Sequence, residues 1–78
     1  MTETDADPTL KLAHMARQIA DFFKAYPEEK AVPGIAEHIN KFWSKRMRED
    51  FLAAFRQDDP RLDALVAKAM PKIKGWQA

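Results

Sequence analysis

Apolar side chains recur at three- and four-residue steps along most of this 78-residue chain, with polar side chains between them. This spacing follows the turn of an α-helix, and strand-like alternation is absent. Residues 10–26 are predicted to form a first helix, capped by Thr9 and stopped before Pro27. Its apolar face spans about 120° and is expected to pack on the core. That face comprises Leu12, Met15, Ala16, Ile19, Phe22, Phe23 and Tyr26.

Two further helices are predicted after a polar connection. Pro33 is expected to open the second helix, because proline suits the first helical position. Ser44 is expected to cap a third helix over residues 45–56, and a mere bend at Ser44 is the alternative. The apolar faces comprise Ile35, Ala36, Ile39, Phe42 and Trp43 in the second helix, and Met47, Phe51, Ala54 and Phe55 in the third.

A fourth helix is predicted to begin at Pro60 with Asp59 as its cap, and Pro71 is expected to end it. Its apolar face comprises Leu62, Leu65, Val66, Ala69 and Met70. The basic segment that follows contains Trp76, which either folds back on the bundle or docks on another protein. The fold class is therefore all-α: one small domain over residues 1–78, a bundle of three or four short amphipathic helices with flexible tails at 1–8 and 72–78.

The size of the chain limits its core. One core in a domain this small contributes only ~3–5 kcal/mol without disulfides, and the chain has no cysteine. The acidic start resembles no secretory signal, and no apolar run approaches the ~20 residues of a membrane span. A cytoplasmic protein without a membrane contact is expected.

The charges balance globally but are segregated locally. The net charge is +1, from 13 basic and 12 acidic residues, which argues against a general nucleic-acid binder. Residues 41–48 nevertheless carry four basic side chains and no acidic one. This cluster is either a solvated face with local ion pairs such as Arg46–Asp50, or part of an interface.

No catalytic or metal-binding constellation is recognisable. A metal site needs three or four convergent ligands, and His14 and His38 have no partner at a spacing that shares a helical face. Glu37 and His38 are neighbours, so they project about 100° apart. No serine or threonine has the setting of an activated nucleophile. We expect no catalytic, cofactor-binding or metal-binding residue in this chain.

The pair Phe42-Trp43 beside the basic cluster indicates a protein interface. Phe42 is expected to be core, whereas Trp43 lies at the edge of the apolar face and is either core or half-exposed. Arg48 interrupts the apolar sector of the third helix, so it must pair with an acid of this chain or with a partner's carboxylate. The expected contact surface comprises His38, Trp43, Arg46 and Arg48, with Phe42 and Met47 bracing it from beneath.

Three segments resemble the delta subunit of NAD-dependent, molybdenum-containing formate dehydrogenases: KLAHMARQIADFF (11–23), AVPGIAEHINKFWSKRMR (31–48) and, more weakly, LDALVAKAM (62–70). The most specific part is GIAEHINKFWSKRMR, which is similar to the family pattern G-[IV]-A-x-H-[IL]-x-x-F-W-x-x-R-M-R. The family has Asp-Pro where this chain has Ser44-Lys45. Serine caps helices as aspartate does, so a helix break is still expected there.

The resemblance implies a non-catalytic accessory subunit of a cytoplasmic complex. Such a subunit would dock on the large (alpha) subunit, which carries bis-molybdopterin guanine dinucleotide and iron–sulfur clusters, while other subunits carry FMN and the NAD site. It would support the assembly, stability or cofactor insertion of the large subunit, and it would bind none of these cofactors itself.

Two other functions fit the residues alone. The second and third helices could form a helix-turn-helix that binds nucleic acid, although the predicted recognition helix soon becomes apolar at Phe51. The spare apolar surface could instead close a homodimer.

Overall fold

The computed structural model describes residues 8–77, which fold as short α-helices without a strand, so the all-α prediction is confirmed. Helix α1 spans Pro8–Phe23 and α2 spans Glu28–Phe42. Helix α3 spans Lys45–Ala54 and α4 spans Ala64–Ala69, which passes into a 3-10 turn over Met70–Lys72. Thr9 lies inside α1 instead of capping it.

The buried face of α1 is centred on two alanines. Ala16 and Ala20 have no exposed surface, and their small side chains let the neighbouring helices approach closely. This centre lies about 140° around the helix from Phe22. The expectation that Phe22 and Tyr26 face the core is wrong, because both side chains are exposed.

Helix α2 begins one turn earlier than Pro33, at Glu28. The N–H of Ala31 donates to the carbonyl of Pro27 at 2.8 Å and closes the first turn. The carboxylates of two glutamates in that turn interact favourably with the positive end of the helix dipole. Pro33 thus lies inside the helix, where it leaves the carbonyl of Glu29 without a ladder donor. Both residues are exposed, so water can take that donor's place.

The chain leaves the helical conformation between α2 and α3, as predicted. Trp43 is extended, with φ −88° and ψ 142°, and its N–H still donates to the carbonyl of Ile39 at 3.0 Å. The hydroxyl oxygen of Ser44 accepts a hydrogen bond from the N–H of Met47 at 3.1 Å. Ser44 therefore caps α3, which ends at Ala54, two residues before its predicted end.

Helix α4 starts later than predicted, because Asp59 is used in a local turn. Its carboxylate accepts from the backbone N–H of Arg61 at 2.8 Å and from the guanidinium of the same residue. Asp63 caps α4 instead, since its carboxylate accepts from the N–H of Leu65 at 2.9 Å. The prediction that Pro71 terminates the fourth helix is confirmed.

The segment 72–77, expected to form a tail, folds back on the bundle, beside α2 at Lys72–Lys74 and beside α3 at Gly75–Gln77. Ile73 is buried and Trp76 is half-buried against the core. The side chain of Asn40 holds this segment twice: its amide donates to the carbonyl of Lys72 at 3.1 Å, and its oxygen accepts from the N–H of Lys74 at 2.8 Å. Of the two alternatives for Trp76, the fold-back is the one observed.

All four helices contribute to one core, whose largest fully buried side chains are Phe51, Ile35, Ile39, Met70 and Val66. The ring of Phe23 in α1 packs against Gly34 in α2. A Cβ atom placed there would lie 2.6 Å from Cε1 of Phe23, a separation that real Cβ atoms do not show. Glycine is therefore required for this contact, although it weakens a helix interior.

We expect Gly34→Ala to lower the free energy of unfolding by about 1 kcal/mol, because overpacking outweighs the gain in helix propensity. The matched control is the same substitution in a Phe23→Leu chain, where the ring is gone. There alanine should stabilise by up to about 1 kcal/mol. Urea denaturation followed by circular dichroism measures both effects. Equal stabilisation in the two backgrounds would show that the contact with Phe23 imposes no constraint.

Candidate interface groove

An open apolar groove of roughly 440 Å³ lies where α1, α2 and the start of α3 meet. One wall is α1, the opposite wall is the last turn of α2, and α3 closes one end. We call this feature the groove. Its lining comprises Met15, Gln18, Ile19, Phe22, His38, Phe42, Trp43 and Met47.

Two phenylalanine rings stand on the rim of the groove. The side chain of Phe22 is 67% exposed and that of Phe42 is 70% exposed. Phe22 is held from the side by Phe23, whose ring centroid lies 5.1 Å away in an edge-to-face arrangement. The imidazole of His38 lies 4.7 Å from the ring of Phe42. Both rings are thus fixed by a neighbouring ring while most of their surface stays in water.

The structure puts Trp43 inside and Phe42 outside. Phe42 was expected in the core but is exposed, whereas Trp43, for which a core and a half-exposed position were both open, is only 6% exposed. The reason is the end of α2 at Phe42: the extended backbone of Trp43 takes its side chain off the helical wheel. The indole turns inward and meets Phe51 edge to face, with 5.6 Å between ring centroids.

The basic side chains of the predicted interface do not line the groove. Arg46 lies on the exposed side of α3 and pairs with Asp50, Nε to Oδ1 at 3.3 Å, so this local ion pair is confirmed. Arg48 projects about 100° from Met47 around α3. The six predicted residues therefore form no single patch. His38, Phe42, Trp43 and Met47 share the groove, and Arg46 and Arg48 lie elsewhere.

Arg48 has no acid of its own within residues 8–77. Its Nε atom is buried and has no hydrogen-bond partner, and the guanidinium forms no ion pair with a described residue. A buried donor without an acceptor costs about 1–3 kcal/mol, and more when it is charged. Of the two alternatives for Arg48, the pairing within this chain is not found among the described residues.

Sequence reasoning missed the wall that α1 provides. Met15, Ile19 and Phe22 were assigned to the core because they share an apolar stripe with Leu12 and Ala16. The stripe is wider than the part that the bundle covers: Met15 and Ile19 are half-buried against the core, and Phe22 is exposed. The two alanines at four-residue spacing, Ala16 and Ala20, are the signal that would have placed the close contact correctly.

Two titratable groups of residues 8–77 have clearly shifted pKa values. No three histidine or acidic side chains converge there as a metal site would require. Hydrogen bonds from Arg61 lower the pKa of Asp59 to about 2. Hydrogen bonds to Asp21 and Asp63 raise the pKa of Lys24. Both groups belong to exposed ion pairs of turns and helix ends, away from the groove.

The chain is similar to a known protein family. Residues 11–70 match the family model described as NADH-dependant formate dehydrogenase delta subunit FdsD. No curated protein and no solved structure gave a match. Among the helices of residues 8–77, none has the length and apolar character needed to cross a bilayer.

The exposed position of Phe42 and the buried position of Trp43 predict different effects of truncating each side chain to alanine. Trp43→Ala should cost ~3–5 kcal/mol, as expected for a buried large aromatic ring, and this would unfold most of the chain. Phe42→Ala should change the free energy of unfolding by no more than about 0.5 kcal/mol, because the ring is mostly in water. Trp43→Phe, which keeps a ring against Phe51, is the control and should recover most of the loss. Equal losses for the two alanine variants, measured by urea denaturation, would contradict the assignment.

Proposed function

Because this chain belongs to the FdsD family of NADH-dependent formate dehydrogenase delta subunits, we propose that it is a non-catalytic accessory subunit that docks on the large subunit of a cytoplasmic formate dehydrogenase. The groove is the docking surface. It binds an apolar element of the large subunit and supports the assembly, stability or cofactor insertion of that subunit.

The observation that carries this proposal is the pair of exposed rings on the groove, Phe22 and Phe42. Burying one such ring is worth about 1.5–3 kcal/mol, so leaving two of them in water is a cost that a docked partner removes. Aromatic anchors around an apolar pocket are typical of interface hot spots. The thioethers of Met15 and Met47 add a flexible lining that can adapt to a partner's side chains.

A protein partner fits the groove better than nucleic acid does. The lining contains apolar and neutral polar side chains around a single imidazole, and no lysine or arginine. On α3, which would be the recognition helix, Lys45 and Arg46 already pair with Glu49 and Asp50. Phosphate contacts supply most of the affinity for nucleic acid, and the groove offers no cation to make them.

The mechanism is mass action on the folding of the partner. A subunit that binds only the folded large subunit stabilises it by an amount that grows with its concentration and affinity. Docking would thereby hold the large subunit in the state that accepts or retains its cofactors. This role requires no reacting group in the delta subunit.

The redox groups of the complex belong to other subunits in this proposal. Bis-molybdopterin guanine dinucleotide, iron–sulfur clusters, FMN and NAD need thiolates, phosphate-binding loops or metal ligands. This chain has no cysteine and only two glycines, so its residues do not fit the role of holding any of them.

The docking proposal is tested by co-purification. We expect Phe22→Gln combined with Phe42→Gln to reduce capture of the large subunit by a tagged delta chain at least about tenfold, because aromatic anchors often contribute 2 kcal/mol or more. Metal content per large subunit should fall in the same preparations. Leu10→Gln is the matched control, since it replaces another exposed apolar side chain of α1 that does not line the groove.

Undiminished capture by the double variant would exclude the groove as the docking surface. Sedimentation of the isolated chain tests self-association. If the isolated chain sediments as a dimer and the double variant as a monomer, a second copy fills the groove. Circular dichroism of the variants checks that the helices are kept.

Arg48 is proposed to meet a carboxylate of the large subunit. Arg48→Met keeps the length and bulk of the side chain but removes the unpaired charge, so the isolated chain should be as stable as the parent or more stable. The complex should be weaker, with faster dissociation, because the partner's carboxylate loses its cation. Urea denaturation and surface-plasmon resonance measure the two effects. Loss of stability in the isolated chain with an unchanged complex would assign Arg48 a role within its own fold.

A further inference from the structure

A second concave surface runs along α2 on a different face from the groove. It extends from Glu29 to Lys41, about 18 Å at the rise of an α-helix, and has a volume of roughly 770 Å³. The C-terminal segment forms its other wall with Lys72 and Lys74. We call this surface the trough. Its lining comprises Glu29, Lys30, Pro33, Gly34, Ala36, Glu37, Asn40, Lys41, Lys72 and Lys74.

The four lysines of the trough are unpaired. Lys30, Lys41, Lys72 and Lys74 form no ion pair with any residue of the described range 8–77. Of the other lysines on α1, on α4 and in the turn after α1, Lys24 pairs with Asp21 and Asp63 and Lys68 pairs with Glu28 at 2.9 Å, whereas Lys11 forms no ion pair. Four of the seven lysine and arginine side chains that form no ion pair in the described range therefore lie on one surface, although the chain as a whole is nearly neutral.

Asn40 fixes the two walls of the trough relative to each other. Its side chain makes one hydrogen bond to the carbonyl of Lys72 and accepts one from the N–H of Lys74. Ile73, between these two lysines, is buried in the core. The backbone of Lys72 and Lys74 is thus anchored beside α2. The entropic cost of bringing these cations together is included in folding, so a ligand does not have to order the segment when it binds.

We propose that the trough is a second docking surface, which binds a carboxylate-rich segment of a protein partner. The four unpaired lysines supply the attraction, and a segment of about 18 Å could run the length of α2. Segregated charge of this kind orients a partner and raises the rate of encounter more than it raises affinity.

The charge pattern favours a peptide over a nucleic acid. Glu29 and Glu37 alternate with the lysines on α2, so a continuous phosphate backbone would meet both attraction and repulsion. A peptide can place a carboxylate opposite each lysine and a neutral or basic side chain opposite each glutamate. The trough therefore selects a patterned acidic segment.

This inference goes beyond docking through the groove. The side chains of His38 and Phe42 face the groove, whereas Glu37 and Lys41 face the trough. Because the two surfaces share no side chain, each can bind while the other is altered. Substitutions can therefore separate them.

The test is a titration of the ¹⁵N-labelled full chain with a blocked peptide of sequence EGEGEGEG, followed by amide chemical shifts at low salt. We expect saturable shifts confined to the amides of the trough. Lys72→Glu with Lys74→Glu should weaken binding about tenfold, as expected for the loss of two exposed ion pairs and added repulsion. Added salt should weaken it as well.

Three controls make the result specific. Lys11→Glu with Arg17→Glu changes the net charge equally on α1 and should leave binding within about twofold of the parent. The peptide QGQGQGQG should not bind, and Phe22→Gln with Phe42→Gln should bind the glutamate peptide as the parent does. Equal losses for the two charge-reversed chains, or shifts at every lysine, would overturn the proposal. Equally tight binding of an oligouridylate with four charges would overturn the choice of a peptide ligand.

Discussion

The contact between the indole of Trp43 and the ring of Phe51 determines how the two halves of this chain meet. It forms only because the backbone becomes extended at Trp43 and because Ser44 caps the next helix. With those two residues out of the helix, α3 can fold against α1. The same turn of the backbone leaves Phe42 as the last helical residue of α2, on the outside. The exposed ring and the buried ring are two results of one helix break.

The small size of the chain explains why so much apolar surface remains outside. The close approach of α1 to its neighbours is made by Ala16 and Ala20, which fill little volume. Larger side chains of the same stripe, such as Met15 and Phe22, are left on the edge of the contact. A larger protein would cover that edge with another helix. In this chain the described residues include no such helix, so the edge becomes the groove.

The sequence was sufficient to predict the all-α fold class and the helix caps that depend only on neighbouring residues. Ser44 was recognised because a hydroxyl can accept from an amide three residues later, which depends on no distant contact. Pro33 misled because proline at a helix start is a preference, while its tolerance inside α2 depends on which side of the helix faces water. Asp59 misled in the same way, since pairing with Arg61 competes with capping. Rules based on neighbouring residues fail where one side chain can serve two structural roles and only its contacts in the folded chain decide between them.

Phe42 was misplaced, and the position of Trp43 was left undecided, for a related reason. A helical wheel assigns a direction to each residue only while the backbone remains helical. The wheel was extended one residue beyond the end of α2, and that residue was the tryptophan. The unpaired guanidinium of Arg48 was predicted correctly as a problem because its position is inside α3, where the wheel holds.

The separation of rings and charges onto different surfaces changes what kind of subunit this chain can be. A single mixed patch, as first expected, would give one contact in which each cation lies beside an aromatic anchor. The structure instead has an apolar groove, a trough with four unpaired lysines, and Arg48 outside both. An apolar surface supplies most of its affinity by excluding water, whereas a cationic surface that stays wet mainly orients a partner. A chain with both, on separate faces of one helix, fits the proposal that one surface holds a protein tightly while the other positions a second segment beside it.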